Sequence, residues 1–332
     1  MGSCLQSAGY TVHQAADDAD TLVVKVALQS AAANEVVSVI ANDTDILVML
    51  VAHYQPHMSD IFMYTGANQS ATSVAAVASA LGSSVVSRLL VIHAISGCDT
   101  TSALFGHGKV SVFRKLSTCL DQRHVDILES GSATQEEVML AGCRMLALLY
   151  TGNVTDSLNR LRYTMYMYAT ATSSNLPRPE RLPPTESAAR YHLYRVHLQV
   201  VHWKLLSTAT LNPAEWGWKT HEGKYNPVLT DMDIAPPDVL KVACCKCSAE
   251  SKRPCGTRAC LCVKYGLSCV TACKNCNGVA CENVQEIDVD DLVETEDAEI
   301  ALLDNAVEEI VDDEDIDYYM PWSIEEEVMT SM

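Results

Sequence analysis

The sequence predicts an α/β fold: a partial parallel sheet with helices, then a helical region, a small cysteine-dense module and an acidic, disordered tail. Three observations carry this. β-branched runs alternate with helix-periodic stretches over residues 10–120, the pattern of a parallel sheet. Ten of the fourteen cysteines fall between Cys244 and Cys281. From Glu282 onward there are 20 acidic residues and no Lys or Arg, so residues 1–281 carry 23 basic against 22 acidic side chains. The formal charge of −19 therefore belongs to the tail and says little about the folded part.

The first element is a helix from Asp17 to about Ser30, with acidic residues in its first turn to complement the helix dipole. Val36–Val51 reads as a buried strand, β-branched and apolar at both ends, with Asp43 and Asp45 near its middle and on one face at period two. Ile61–Tyr64 is a second short strand. Ser70–Leu81 has helical spacing, and Arg88–Ile95 is helix or strand leading into a Gly97-Cys98-Asp99 loop. Residues 121–207 form the helical extension. Thr134–Ala169 is helical with a stripe of Met139, Leu140, Cys143, Leu146, Ala147 and Tyr150. A proline-rich break follows at Asn175–Thr185, and then a helix at Ser187–Leu206. Residues 208–243 hold four prolines and read as a linker or extended arm, with Trp216-Gly217-Trp218 as its packing anchor.

The cysteines from Cys245 run C-x-C-x7-C-x4-C-x-C-x6-C-x3-C-x2-C-x4-C: Cys245, Cys247, Cys255, Cys260, Cys262, Cys269, Cys273, Cys276 and Cys281. Such spacing in a segment with almost no aliphatic core suits tetrahedral zinc, because thiolates bind it tightly and the module needs metal to fold. Nine sulfurs saturate three Zn²⁺ ions only if three of them bridge, which predicts a trinuclear cluster. Cys244, immediately before the nine, is expected to stay outside it. The opening residues have neither the basic n-region nor the apolar h-region of a signal peptide, and no run reaches the ~18 apolar residues of a membrane span. The expectation is an intracellular protein, where dense cysteines bind metal more often than they form disulfides.

Acidic groups recur at three points in the first hundred residues: Asp17, Asp18 and Asp20; Asp43 and Asp45; and Asp99. At the carboxyl edge of a parallel sheet these converge, and gathered carboxylates repel unless a hard cation such as Mg²⁺ or Mn²⁺ intervenes. The alternative is helix capping and turn chemistry. His93 reads as a buried histidine bonded to backbone.

The ordered motifs Asp18-Ala19-Asp20, Asp43-Thr44-Asp45 and Gly97-Cys98-Asp99, followed by Gly106-His107-Gly108-Lys109, resemble metal-dependent nucleases of the flap endonuclease and XPG type within the wider PIN-like fold. The resemblance covers roughly residues 10–115. It implies divalent-metal ligation by Asp18, Asp20, Asp43, Asp45 and Asp99 and phosphodiester hydrolysis. That family draws further aspartates from strands upstream of the first helix, where this chain has no acidic residue before Asp17, so an N-terminally truncated member is expected. The whole chain is also similar to the C-terminal portion of longer, transposon-like animal proteins.

Residues 244–283, with their closing Cys281-Glu282-Asn283, resemble the CXC domain of tesmin-type and male-specific-lethal-type DNA-binding proteins. That resemblance implies DNA binding and a nuclear location. A basic excess of Lys241, Lys246, Lys252, Arg253, Arg258, Lys264 and Lys274 against Glu250 supports phosphate contact, and Lys109 would add to it from the first region. Ala259 stands where the tesmin type has a tyrosine, and Arg258 matches the male-specific-lethal type better. The acidic tail, ending in Tyr318-Tyr319-Met320-Pro321-Trp322, is expected to be solvated or to dock a protein partner. Three readings stay open: a DNA-binding protein with a degenerate nuclease region, an active Mg²⁺-dependent structure-specific endonuclease, and a zinc-scaffolded protein-interaction module.

Overall fold

The computed structural model describes residues 2–15, 18–64, 71–172, 178–207, 211–233, 244–248, 253–265, 267–270, 273–278 and 281–283. It is a mixed α/β protein with about half of its residues helical and a small mixed sheet. A short helix α1 (Gly2–Ser7) precedes α2 (Asp20–Ala32), β1 (Val37–Ile40), α3 (Thr44–His53), β2 (Ile61–Tyr64), β3 (Ala71–Ser73), α4 (Val74–Val86) and α5 (Leu89–Ser96).

β1 and β2 run parallel, with Val37 opposite Ile61 and Ile40 opposite Tyr64. β3 pairs antiparallel with β2, so the sheet is mixed rather than purely parallel. Asp60 staples this corner: its carboxylate accepts the Ile61 N–H at 2.8 Å, the Ala75 N–H at 3.0 Å and the Ser73 hydroxyl at 2.6 Å.

The expected strand Val36–Val51 divides into two elements. β1 ends at Ile40, and Asp43 then caps α3 by accepting the Asp45 N–H at 2.8 Å. Ile46 through Val51 are all buried, so this helix has no polar face and its apolar run shows no helical period. The capping carboxylate, which satisfies an amide otherwise left without a partner, marks the boundary. Asp43 and Asp45 are therefore the cap and an early residue of a helix, not two residues on one face of a strand.

The body continues through α6 (Lys109–Cys119), α7 (Gln122–Glu129), α8 (Gln135–Thr151), α9 (Leu158–Thr172) and α10 (Glu186–Leu205). α5 is buried along its whole length, and α10 packs against α5, α7 and α8. The expected helix Thr134–Ala169 breaks at Gly152, whose φ of 71° forms a left-handed C-cap to α8. A capping box of Thr134 and Glu137 starts α8. Its buried side includes Val138, Ala141 and Met145, while Leu140 from the expected stripe is exposed.

α8 meets α10 at Gly142, where a Cβ would run into the side chain of the fully buried Leu193. Gly142→Val is therefore expected to destabilise the body by about 1–3 kcal/mol, read as a lower urea midpoint. An unchanged midpoint would show that the helices are not in this contact.

Residues 211–233 pack as more than an open arm. Trp216 is buried against Tyr194 and His197, with ring centroids 5.6 and 4.3 Å away. Gly217 has φ of 87°, and a Cβ there would lie 2.8 Å from the Tyr191 carbonyl and 2.9 Å from the Arg195 side chain. Only glycine fits between the two tryptophans. β4 (Trp218–His221) and β5 (Lys224–Pro227) then form a hairpin around Glu222 and Gly223, both at positive φ (52° and 74°). Buried Arg195 ties this hairpin to the body by donating to Val228 O at 2.7 Å and to Ser102 Oγ at 3.1 Å.

Among the described residues no single helix is long and apolar enough to cross a membrane. α4 and α5 reach that length together but are bent by 86°.

Candidate functional site

Two groups of side chains stand out, one of sulfur and one of oxygen. The sulfur group lies in residues 244–283, around a short helix α11 (Leu261–Lys264). All nine predicted cysteines take part in four overlapping sets of four, within each of which the sulfurs lie within 4.8 Å of one another. The sets are Cys245, Cys260, Cys262 and Cys269; Cys245, Cys247, Cys255 and Cys260; Cys245, Cys269, Cys273 and Cys276; and Cys255, Cys269, Cys276 and Cys281. Cys245 and Cys269 each belong to three of them. Cys244 packs beside the group but is in none of the sets.

The distances are those of metal-site thiols rather than of disulfides. Cys245 Sγ lies 3.7, 3.9 and 3.8 Å from the sulfurs of Cys255, Cys269 and Cys276, and Cys262 Sγ lies 3.6 Å from Cys273. A disulfide would need about 2.05 Å, and all fourteen cysteines are free. A tetrahedral zinc with Zn–S of about 2.3 Å spaces its sulfurs about 3.8 Å apart. The donor set therefore fits a metal such as zinc, and the cluster can hold one.

Packing pushes thiols in opposite directions. Burial drives Cys245, Cys255 and Cys269 up. Cys260 is also penalised by burial but falls to about 7 through hydrogen bonds from backbone N–H groups and the Cys245 thiol. Cys276 falls likewise to about 7, with the Gly278 N–H as the largest lowering cause. A thiol held down in this way gives up its proton to a metal more easily than its raised neighbours do.

The basic side chains of this module are arranged unequally. Lys246, Arg258, Lys264 and Lys274 are exposed. Arg253 is paired with Glu282 at 3.0 Å. Lys241 and Lys252 lie outside the described residues, as do Asp17 and the acidic tail. Lys109 opens α6 in the body.

The oxygen group is built at helix starts. Asp18 precedes α2 and Asp20 begins it, Asp43 caps α3, Asp45 sits in the first turn of α3, and Asp99 follows α5. The carboxyl end of β1 feeds directly into Asp43, the position where α/β sheets place ligands. Electrostatics ties the five together. Asp20 is raised to about 7, first by burial, then by repulsion from Asp18, Asp43 and Asp45, and by a side-chain hydrogen bond to Asp43. Asp43 is raised, chiefly by burial and then by Asp45, Asp99 and Asp18, against the lowering pull of the Asp45 N–H. Gathered carboxylates of this kind repel one another, and protonation of one of them relieves that repulsion. These oxygens are spread more widely than the sulfurs: among the described residues, the sets of three or more donors within 4.8 Å are all cysteine sets.

His93 differs from its expected role. It is buried on α5, but its Nε2 meets Asp45 Oδ1 at 2.6 Å rather than a backbone group, and its ring lies 5.6 Å from Trp203. A single histidine in the otherwise apolar run from Leu89 to Ile95 was the available signal. Its partner, 48 residues away, was not visible locally. A second unanticipated contact is at Asn283, whose side-chain amide approaches the Cys269 sulfur at 3.4 Å.

No family model, curated protein or solved structure matches this chain.

Proposed function

We propose that this chain is a zinc-dependent DNA-binding protein, with a CXC-type module of three Zn²⁺ ions that contacts DNA beside a PIN-like region of nuclease and transposon ancestry. A nuclear location follows from that reading. The observation that carries it is the set of nine cysteine sulfurs at zinc-site spacing with Lys246, Arg258, Lys264 and Lys274 exposed around them. Three divalent ions against nine thiolates leave about −3 on the cluster, so these cations must outweigh it where they face DNA.

The test is binding of the zinc-loaded full chain to duplex DNA across a salt series. Affinity is expected to fall as salt rises, and a variant with Arg258→Ala and Lys264→Ala is expected to have a slope shallower by about 2, because each lost phosphate contact removes about 0.9. No binding at low salt, or a slope unaffected by these substitutions, would leave the third reading, a zinc-scaffolded interaction module.

A second reading has its own observation, the mutual repulsion among Asp18, Asp20, Asp43, Asp45 and Asp99 that, with burial, raises Asp20 to about 7. On that reading these aspartates hold Mg²⁺ or Mn²⁺, which would supply charge neutralisation and an activated water for phosphodiester hydrolysis. Cleavage of flap or single-stranded DNA with Mn²⁺, lost in Asp43→Asn/Asp45→Asn, would establish an enzyme. Absence of cleavage by the wild type would assign the region as degenerate.

A further inference from the structure

The last described residue of the cysteine module makes three bonds to a single stretch of chain. The Asn283 backbone carbonyl accepts the Cys269 N–H at 2.7 Å. Its side-chain Nδ2 donates to the Leu267 carbonyl at 2.9 Å and points at Cys269 Sγ at 3.4 Å. A carbonyl oxygen can only accept, so Leu267 fixes which way the Asn283 amide is turned, and the atom facing the sulfur is an N–H donor.

Cys269 is one of the two most shared sulfurs in the cluster, 3.9 Å from Cys245 and 4.0 Å from Cys260, and it also joins the set that contains Cys281. A thiolate has three lone pairs. When it bridges two metals one pair remains, and an N–H donor is the group that can satisfy it in a half-buried setting.

We propose that Asn283 is a positioning residue that holds Cys269 as a bridging thiolate and thereby slows release of metal from the module. The proposal rests on the zinc reading above. It gives a physical reason for the closing Cys281-Glu282-Asn283 spacing: Cys281 supplies a sulfur to the final set, and two residues later the chain turns back to clamp the sulfur which that set shares with its neighbours. Backbone bonds from Glu282 N–H to Pro254 O (2.9 Å) and from Cys269 N–H to Asn283 O hold the returning strand in place. Asn283 need not touch the metal to act on it.

The test uses the full zinc-loaded chain in four forms: wild type, Asn283→Ala, Asn283→Asp and Asn283→His. Alanine removes the donor; aspartate keeps the shape but presents only acceptors to a thiolate and a carbonyl. Histidine places a single N–H near the position of the asparagine Nδ2, enough for the Leu267 carbonyl or the Cys269 sulfur but not for both. Zinc content is measured by native mass spectrometry, and zinc release to a competing chelator is followed with a metallochromic indicator. The Asn283→Ala and Asn283→Asp proteins are expected to retain zinc about 10–100-fold more weakly than wild type, with Asn283→His between them and wild type. In the cobalt-substituted protein, Asn283→Ala is expected to shift the thiolate-to-metal charge-transfer band, a signature that loss of mere chain packing would not produce.

Equal release from wild type and Asn283→Ala overturns the role of Asn283 while leaving the zinc reading standing. A charge-transfer band left unshifted by Asn283→Ala in the cobalt-substituted protein shows that the Asn283 donor does not reach a metal-bound sulfur, and overturns it too. A wild type that purifies and refolds without zinc overturns the zinc reading itself. Should Asn283→Asp fail to load metal, Asn283→Ala still decides the question.

Discussion

Stripping metal from the full chain with a strong chelator is expected to unfold residues 244–283 while leaving the α/β body folded. The reason is what the module buries. Its fully buried members are Cys245, Cys255, Cys260, Cys262, Cys269, Cys273 and Cys276, and the aliphatic side chains against them, Leu261, Val263 and Val270, are only partly buried. Three such side chains contribute about 1.5–3 kcal/mol each even when fully buried. Ordering the backbone costs about 1–2 kcal/mol per residue over some forty residues. No hydrophobic core of this size folds alone, whereas a structural zinc contributes about 10–16 kcal/mol at neutral pH. Limited proteolysis after chelation should cut within 244–283, and the emission of buried Trp203 and Trp216 should stay unchanged. Single substitutions should grade the effect by how many sets a sulfur serves. Cys247→Ser, in one set, is expected to lose one zinc by native mass spectrometry, and Cys269→Ser, in three, at least two. Identical losses would mean that Cys269 does not bridge, and a proteolysis pattern indifferent to chelation would remove metal from the folding of the module.

The cysteine module was legible in the sequence because thiol spacing is itself the chemistry: all nine predicted cysteines enter the sulfur sets, and Cys244 stays out. The aspartates were legible as a group but not in their setting. Ile46 to Val51 are buried on every side, and a segment without a polar face carries no period to distinguish helix from strand. Only Asp43, as a capping residue, held that information. The hairpin at Trp218–Pro227 left no trace for the opposite reason: nearly all its side chains are exposed, so neither strand alternates. The contact between His93 and Asp45 depends on α5 packing against α3, a long-range fact with no local signature.

Acid is expected to destabilise the α/β body steeply between pH 6.5 and 4, because two histidines on α10 are buried in the neutral form. His192 is held down at about 4, chiefly by burial and then by the Arg195 charge, against the smaller upward pull of the Ile95 carbonyl. His197 is held at about 4 by burial, against the pull of its Nδ1 bond to Leu128 O at 3.0 Å. In both, Nε2 is buried without a partner at hydrogen-bond geometry among the described residues. The folded pKa lies below the unfolded value of 6.5. Above pH 6.5 neither state carries the proton and the full stability is present. As pH falls from 6.5 to 4 the unfolded chain takes up a proton that the folded one refuses, and stability is lost. At 1.36 kcal/mol per unit the loss is about 3 kcal/mol per histidine, large beside the roughly 5–15 kcal/mol of a typical folded protein. His53, His107, His124 and His202 are shifted the same way. Asp20 acts oppositely: raised to about 7, it gains a proton more readily when folded and recovers some stability over the same range. Urea midpoints measured at pH 7.5, 5.5 and 4 isolate the histidine part. The asparagine amide can accept the Ser102 N–H in place of His192 Nδ1 and donate to the Leu128 carbonyl in place of His197 Nδ1, and it does not titrate, so His192→Asn/His197→Asn is expected to show a clearly flatter pH profile than wild type even if it is less stable at pH 7.5. Parallel profiles in the two proteins would show that these histidines do not drive the transition.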